Sequence, residues 1–353
     1  MALAMDLSPF QIGLLFAARQ MAAGITDLPA GILGDNMRRR GIFLLSTFWL
    51  VSVAQLIAST SNNYWIVLSF LTLAGSAAAA WHPVAMGVMA QWMPNRKGYV
   101  LGVHMMGGTV AEVAAPLMVG MLLMILDWDQ VLQISTIPSI IMGLIFFRLA
   151  PMVMAPTKEL DYNLDRQSLL RSVIKPEVLL ILFMFLLHNM AIVAFMGMGP
   201  LYFQEVKGFS SSMTGLAFSL FLIGGAVAAP LVGNLSDRVG RKVIIMVGLI
   251  AGGFCTGLII FASSNISILP LLIIAGLLML SNRSVIIAMA LEKIGHREST
   301  VLGVISSFAE GFAALGAVLA GILGGIDLQY AIIFAAILSI SAGLVIYPVN
   351  RNN

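Results

Sequence analysis

From Ser8 onward the chain is a succession of apolar runs of about 20 residues or more, each enough, as a helix, to cross roughly 30 Å of hydrocarbon. Lipid offers a backbone no hydrogen bonds, so such a chain can span only as helices or as a closed barrel. The short alternating segments of a barrel are absent, and the expected fold is an all-α membrane protein. Composition agrees: 59% of the 353 residues are hydrophobic and 10% are charged, where a soluble domain carries about 25% charge. Cys255 is the single cysteine and lies inside an apolar run, which excludes a disulfide framework and leaves it a packing role.

Eleven spans are predicted, at about 8–34, 42–60, 64–92, 98–126, 130–149, 176–205, 211–236, 241–262, 266–292, 298–325 and 328–348. Ser8-Pro9 reads as a helix start with proline in the first turn. The first run is too long and too polar for the core of a signal peptide, and no basic stretch precedes it. Ser61-Asn62-Asn63, Pro94 to Lys97 and Asp127-Trp128-Asp129 supply breaks. Pro151 to Lys175 is the one long polar connector, and it divides the chain into halves at 1–150 and 176–353.

Short cytoplasmic loops carry the excess of Lys and Arg in a membrane protein. Sixteen of the nineteen here fall on one side, at 38–40, 96–97, 148, 158–175, 238–242, 293–297 and 351. Lys207 lies on the other side, and Arg19 and Arg283 lie within spans. The basic loops, the connector and the C-terminus are therefore expected to be cytoplasmic and the N-terminus outside. The net charge of +3 is then a topology signal, and no nucleic-acid partner is expected.

Two of the basic loops match each other. Gly233 to Lys242 reads GNLSDRVGRK and Gly31 to Arg40 reads GILGDNMRRR, with Asp35 and Asp237 separated by 202 residues. The same offset lays DLSPFQIGLL at Asp6 over GFSSSMTGLA at Gly208, pairing Gly13 with Gly215 and Gly31 with Gly233. An offset of 201 lays RKGYVLGV at Arg96 over RESTVLGV at Arg297. A repeat this long is one half of a duplicated fold, not a solenoid unit. The second half has a span, about Pro176 to Glu205, before its Gly208 segment, whereas the first half has only Met1 to Met5 there. One helix is expected to be missing.

Duplicated spans carrying this loop resemble the major facilitator superfamily of secondary transporters, over essentially the whole chain. The resemblance implies two six-helix halves related by an axis along the membrane normal, with a solute site at their interface. With the first helix absent, about eleven of twelve would be present. The family's loop reads approximately Gly-x-x-x-Asp-Arg-x-Gly-Arg-Arg/Lys. The second copy matches it at Gly233, Asp237, Arg238, Gly240, Arg241 and Lys242. The first keeps Gly31, Asp35, Arg39 and Arg40 but has Asn36 for Arg and Arg38 for Gly. The glycines let helices approach closely, and each Asp can meet a helix N-terminus or a loop Arg when that side closes. The motif is read as a gate latch, with a pure topology signal as the other reading.

A narrower resemblance sits in the first half. WHPVAM at Trp81 to Met86, followed by LGVHMMGGTVAEVAAPLMVG, is similar to the fosmidomycin-resistance-type efflux branch. AEVAAPLMVG at Ala111 to Gly120 resembles a degraded Gly-Pro motif of family antiporters, keeping Pro116 and Gly120 while Ala111 and Ala115 replace glycines. Both imply efflux or antiport.

Charges inside spans are costly and normally face a bundle interior or a water-filled cavity. In the family's helix order, Arg19 and Asp27 fall on helix 2, His82 on helix 4, His104 and Glu112 on helix 5, His188 on helix 7, Arg283 on helix 10 and Glu310 on helix 11. The resemblance places these helices around a central cavity. Arg283 and His82 are equivalent under the 201-residue offset. Arg19, His82, His188 and Arg283 are the candidate solute contacts, because a guanidinium fork suits an anionic or acceptor-rich solute. A structural pairing of Arg283 with Glu310 is the competing reading. His104, Gly108 and Glu112 share one helix face, and Pro116 withholds a donor from the Glu112 carbonyl. A desolvated carboxyl can hold a proton near neutral pH, so Glu112, Glu310 and Asp27 are the candidates for proton coupling, each against a purely structural role.

No catalytic triad, phosphate loop, redox motif or metal-ligand spacing is present, so no enzyme, cofactor or metal is expected. The expected protein is a monomeric, multi-pass secondary transporter in a bacterial inner membrane, moving a small solute by alternating access with proton coupling and a lean toward efflux. An organic-anion uptake permease is the alternative within that class. An N-terminally truncated, non-transporting fragment or scaffold is the alternative outside it.

Overall fold

The structure, a computed structural model, describes residues 1–153, 175–294 and 298–349, which are helical with no strand among them. The first half holds α1 (Pro9–Asn36), α2 (Arg40–Ser59), α3 (Tyr64–Trp92), α4 (Lys97–Leu122), α5 (Trp128–Ser135) and α6 (Ile137–Leu149). The second holds α7 (Pro176–Glu205), α8 (Ser211–Val239), α9 (Arg241–Leu258), α10 (Asn265–Leu280), α11 (Asn282–Ile294), α12 (Glu298–Ile326) and α13 (Leu328–Val345). Ten segments are long and apolar enough to cross a membrane. The remaining helix of that length among the described residues, α1, carries Arg19, Asp27 and Asp35 over 28 residues and is less apolar. The connector expected over 151–175 falls outside the described residues from 154 to 174, as do Arg297 and Arg351.

Local chemistry explains where the helices start and break. Ser8 caps α1 in a box with Gln11: the Gln11 N–H donates to Ser8 Oγ at 3.3 Å, and the Ser8 N–H to Gln11 Oε1 at 2.9 Å. The span expected at 130–149 is two helices, broken at Thr136. Its Oγ1 donates to the Gln133 carbonyl at 2.6 Å, and Pro138 has no N–H to continue the ladder. The span expected at 266–292 breaks at Ser281. There the Ser281 hydroxyl donates to the Leu277 carbonyl and Asn282 Nδ2 to the Leu278 carbonyl, so side chains compete with the backbone. That break sits immediately before Arg283.

The second half is built around α7, which packs on α12 and α13 and more lightly on α11. Its apolar core joins Phe195, Phe203, Phe218 and Phe221, with the Phe195 and Phe221 rings 5.2 Å apart. In the first half α1 packs on α3, α3 on α2, and α2 on α5 and α6. The halves meet along two seams, α1 against α12 and α4 against α8.

Glycine makes both seams. A Cβ at Gly13 would stand 2.5 Å from the Ala317 carbonyl oxygen and 3.0 Å from Gly321 Cα. A Cβ at Gly120 would stand 2.6 Å from the Ser211 carbonyl oxygen and 3.1 Å from Gly215 Cα. The reverse contacts match: Gly321 is closed by the Pro9 carbonyl oxygen at 2.7 Å, and Gly215 by that of Pro116. Gly13 and Gly215 are repeat equivalents at 202 residues, as are Gly120 and Gly321 at 201. The two seams are thus one contact used twice about the pseudo-two-fold axis. They lie at the end of the bundle opposite the basic loops, where α1 and α8 begin and α4 and α12 finish. Toward the basic end, Gly102 and Gly107 on α4 and Gly233 on α8 meet nothing within 4 Å. Close glycine packing of α4 on α8 is thus confined to one end.

Valine at Gly13 or at Gly120 is expected to push this end apart, because its Cβ would meet backbone, which cannot rotate away. With Cys255→Ser as background, thiol labelling of a Ser211→Cys probe should rise several-fold in the Gly120→Val variant. Unchanged labelling would show that the seam does not hold this end closed.

Candidate functional site

Between the seams lies a set of polar side chains carried by both halves. Gly24 brings α1 against α12: a Cβ there would stand 2.8 Å from Gly311 Cα and 2.9 Å from the Ser307 carbonyl oxygen. Asp27 stands one turn beyond Gly24 and Glu310 immediately beside Gly311, close enough for Glu310 to act electrostatically on Asp27. Arg283 at the start of α11 reaches across to Glu310, with Nη2 at 2.7 Å from Oε1. The Arg283 side chain keeps half of its surface exposed and Glu310 a quarter, so this is a partly exposed ion pair. Such a pair can be traded for another partner, since removing it from water is not yet complete.

Opposite, α3 and α4 present three rings in mutual contact. Trp81 and His104 have centroids 5.3 Å apart, His82 and His104 5.7 Å, and Trp81 and His82 5.5 Å. Glu112 and Glu310 both act electrostatically on His82, which ties this cluster to the carboxylates of both halves. Arg283 is engaged by Glu310 and His82 by the two rings, so the repeat-equivalent positions have taken different work. Among the described residues neither Asp27 nor Glu112 has an ion-pair partner.

Two candidate solute contacts have no hydrogen bond or ring contact with this cluster among the described residues. His188 on α7 is fully buried, with neither ring nitrogen hydrogen-bonded, and lies against Phe185. It faces packing, not open space. Arg19 is exposed, its stem crossing Gly75 of α3, whose added Cβ would stand 3.0 Å from Arg19 Cγ. Trp81 was not legible as a site residue. In the sequence it is only the first residue of WHPVAM, and it is the fold that sets it against two histidines.

The repeated loops are built differently. In the second, Gly240 has φ of 105°, which lets α8 stop and α9 start with one residue between them. In the first, Arg38 stands at the equivalent place, L-residues avoid that conformation, and the break widens to three residues, Met37 to Arg39. Arg241 Nη2 pairs with Asp237 at 3.0 Å and with Glu292 at 2.6 Å, and Lys242 Nζ donates to the Tyr347 carbonyl at 2.5 Å. Arg238 is exposed. All of these contacts lie within the second half. In the first, buried Arg40 donates from Nε to the Gly34 carbonyl at 2.5 Å and from Nη1 to Gln91 Oε1 at 2.8 Å, tying α1 to α3. The Asp35 side chain lies outside the described residues.

Alanine at Gly240 is expected to destabilise the fold by about 1–3 kcal/mol, the cost of holding an L-residue in that conformation. Alanine at Gly233, which sits in a helix and open space, should be neutral. Thermal unfolding in detergent checks this; equal midpoints for the two variants would contradict it.

Comparison with known proteins fits this arrangement. The Major Facilitator Superfamily model matches residues 1–215 and 208–353. The multidrug resistance protein MdtG of Escherichia coli O17:K52:H18 is 24% identical over 343 residues, covering 95% of this chain and 82% of its own length. A probable sugar efflux transporter of Helicobacter pylori is 21% identical over 262 residues, 74% of this chain and 65% of its own. Among solved structures, a bacterial homolog of the human lysosomal transporter Spinster, inward-facing and occupied, superposes with a TM-score of 0.80 at 15% identity, over 99% of this chain and 90% of its own. The nucleoside transporter NupG gives 0.77 at 15% identity, over 99% and 92%. With the family model matched along the whole chain, ten membrane-length helices and this fold, the chain is an integral, multi-pass membrane protein that belongs to the major facilitator superfamily of solute transporters.

Proposed function

We propose that this chain moves a small solute by alternating access and that the Arg283–Glu310 pair couples solute to protons. The carrying observation is that pair at 2.7 Å, half open to the cleft and on the α12 seam where the halves meet. While Glu310 is ionised it holds Arg283. A proton on Glu310 weakens that hold and frees the guanidinium, which suits an anionic or acceptor-rich solute. Asp27, without an ion-pair partner and within electrostatic reach of Glu310, is the neighbour to pass that proton across the seam. Glu112 serves His82 in the same way from the opposite wall.

The chain sits in this reading in a bacterial inner membrane, as a monomer, with basic loops and C-terminus cytoplasmic, and the glycine-sealed end is the outside. The observed state is then open to the cytoplasm. Relatives named for multidrug resistance and sugar efflux favour export over uptake.

A transport screen in proteoliposomes over drugs, sugars and nucleosides supplies the solute. With that solute, Glu310→Gln should keep equilibrium exchange and lose accumulation driven by a pH gradient. Asp27→Asn should slow gradient-driven flux more than exchange. Unchanged gradient dependence in both, and in Glu112→Gln, would reject proton coupling through these groups. Arg283→Ala should lose about tenfold to a hundredfold in solute affinity, the scale of a charge-assisted hydrogen-bond set. Wild-type affinity would remove Arg283 from the solute site.

A further inference from the structure

Between α2 and α6 runs an open groove of about 590 Å³. Ile42, Leu45, Trp49, Leu50 and Val53 line it from one face of α2, at spacings of three and four residues, and Phe147 lines it from α6. Its one polar lining group, Ser46, donates from Oγ to the Phe43 carbonyl of its own helix at 2.7 Å, so the groove offers a polar guest nothing. From Ile42 to Val53 the helix rises about 16 Å at 1.5 Å per residue. That is half of the roughly 30 Å of hydrocarbon in a bilayer, the depth of a single leaflet.

The groove is held in shape from both sides. Toward the basic end the Gly41 N–H donates to the Val153 carbonyl at 2.9 Å, and Gly41 lies so close to the Ala150 carbonyl that no side chain fits between them. Deeper in the bundle Ser139 Oγ donates to the Phe48 carbonyl at 3.0 Å. Between these ties Trp49 acts as a spacer. A Cβ on Gly143 of α6 would stand 3.3 Å from Trp49 Cε2, and the other atoms nearest to it are side-chain atoms too. In the second half the equivalent seam is shut: a Cβ on Gly343 of α13 would stand 2.7 Å from Ile250 Cγ1 and 3.0 Å from the Met246 carbonyl oxygen of α9. Gly143 and Gly343 are 200 residues apart, and Trp49 and Ile250 are 201 apart. One indole in place of an aliphatic side chain keeps the two backbones apart.

The basic end of the groove differs between the halves as well. In the second half Arg241 is engaged by Asp237 and Glu292, and Lys242 by the Tyr347 carbonyl. In the first, Arg40 turns inward to Gly34 and Gln91, but Arg38, Arg39 and Arg148 are exposed. Among the described residues their side chains have no ion-pair or hydrogen-bond partner. Arg39 stands one turn before Ile42, Arg148 directly follows Phe147, and the contact of Gly41 with Ala150 brings these two chain segments together. Three uncompensated guanidinium groups thus stand at the mouth of an apolar trough one leaflet deep.

We propose that this groove binds an anionic phospholipid, with one acyl chain laid along Trp49 and the phosphate held by Arg38, Arg39 and Arg148. Guanidinium forks suit a phosphate, and basic pockets between spans take anionic headgroups. A choline headgroup would add a fourth cation to the same mouth, so the site selects for net negative charge. The second half, with its seam shut and its basic residues engaged, has no such site.

Trp49 reports on its own groove. In the full chain with Trp65→Phe, Trp81→Phe, Trp92→Phe and Trp128→Phe, held in phosphatidylcholine nanodiscs, fluorescence is read as a rising share of the lipid is replaced by phosphatidylglycerol or phosphatidylcholine with brominated acyl chains. Half-maximal quenching by the brominated phosphatidylglycerol should need about a tenth of the share that brominated phosphatidylcholine needs, since each arginine near the surface adds to the attraction. Arg148→Ala should cut that preference several-fold, and the further changes Arg38→Ala and Arg39→Ala should remove it. Quenching by phosphatidylcholine should stay unchanged in these variants, which shows the groove intact. A tryptophan placed by Val247→Trp, an exposed site on α9 equivalent to Ser46, with Trp49→Phe, should show no preference. Equal quenching of Trp49 by the two lipids would overturn the proposal, as would a preference that survives loss of all three arginines or appears equally at position 247. So would a Trp49 shielded from both lipids, which would give the groove to a protein partner.

Discussion

The arrangement depends on helix backbones brought into contact across the two halves at Gly13 with Gly321 and at Gly120 with Gly215. In a bilayer, burying apolar surface between helices gains little, because lipid is as apolar as the side chains; close backbone packing is the attraction that remains. Because the pairs are related by the repeat, one solution to that packing problem closes both sides of the same end. Toward the basic end Gly102, Gly107 and Gly233 make no such contact, so this packing does not hold α4 to α8 there.

The polar residues follow from the same constraint. Charges within a span survive only where something other than lipid faces them. Arg283 and Glu310 meet each other, Trp81, His82 and His104 form a ring cluster, and Asp27 sits where α1 crosses α12 at Gly24 and Gly311. The break at Ser281 is part of this design, since it restarts the helix immediately before Arg283. Asymmetry between equivalent positions is where function enters a duplicated fold: Arg283 and His82 share a place in the repeat but have different partners, and so do Gly240 and Arg38.

Much of the fold was legible because membrane length, charge bias and a 202-residue repeat are strong one-dimensional signals. Helices stand near all eleven expected limits, ten of them long and apolar enough to span, and Ser8 caps α1 as its sequence suggests. The breaks at Thr136 and Ser281 were not legible, because hydropathy is blind to a hydroxyl that turns back onto its own helix. The site was only partly readable. Sequence gives depth in the membrane but not azimuth around a helix, so it left the pairing of Arg283 with Glu310 as one of two readings. The glycine seams were within reach, since the offset that aligns Arg96 with Arg297 also lays Gly120 over Gly321. What no offset could supply was the partner of each glycine, which is set by packing across the axis.

The central claim is that the two ends of the bundle open and close in opposition about these seams. Pulsed dipolar spectroscopy on the Cys255→Ser chain in nanodiscs tests it with two spin-label pairs, Tyr99 with Leu235 near the basic end and Phe10 with Ile326 at the sealed end, all exposed positions on opposite halves. The account predicts two distance populations for each pair, with the short population of one rising as that of the other falls when pH or solute is changed. Distances at both ends that stay fixed, or that lengthen together, would contradict it.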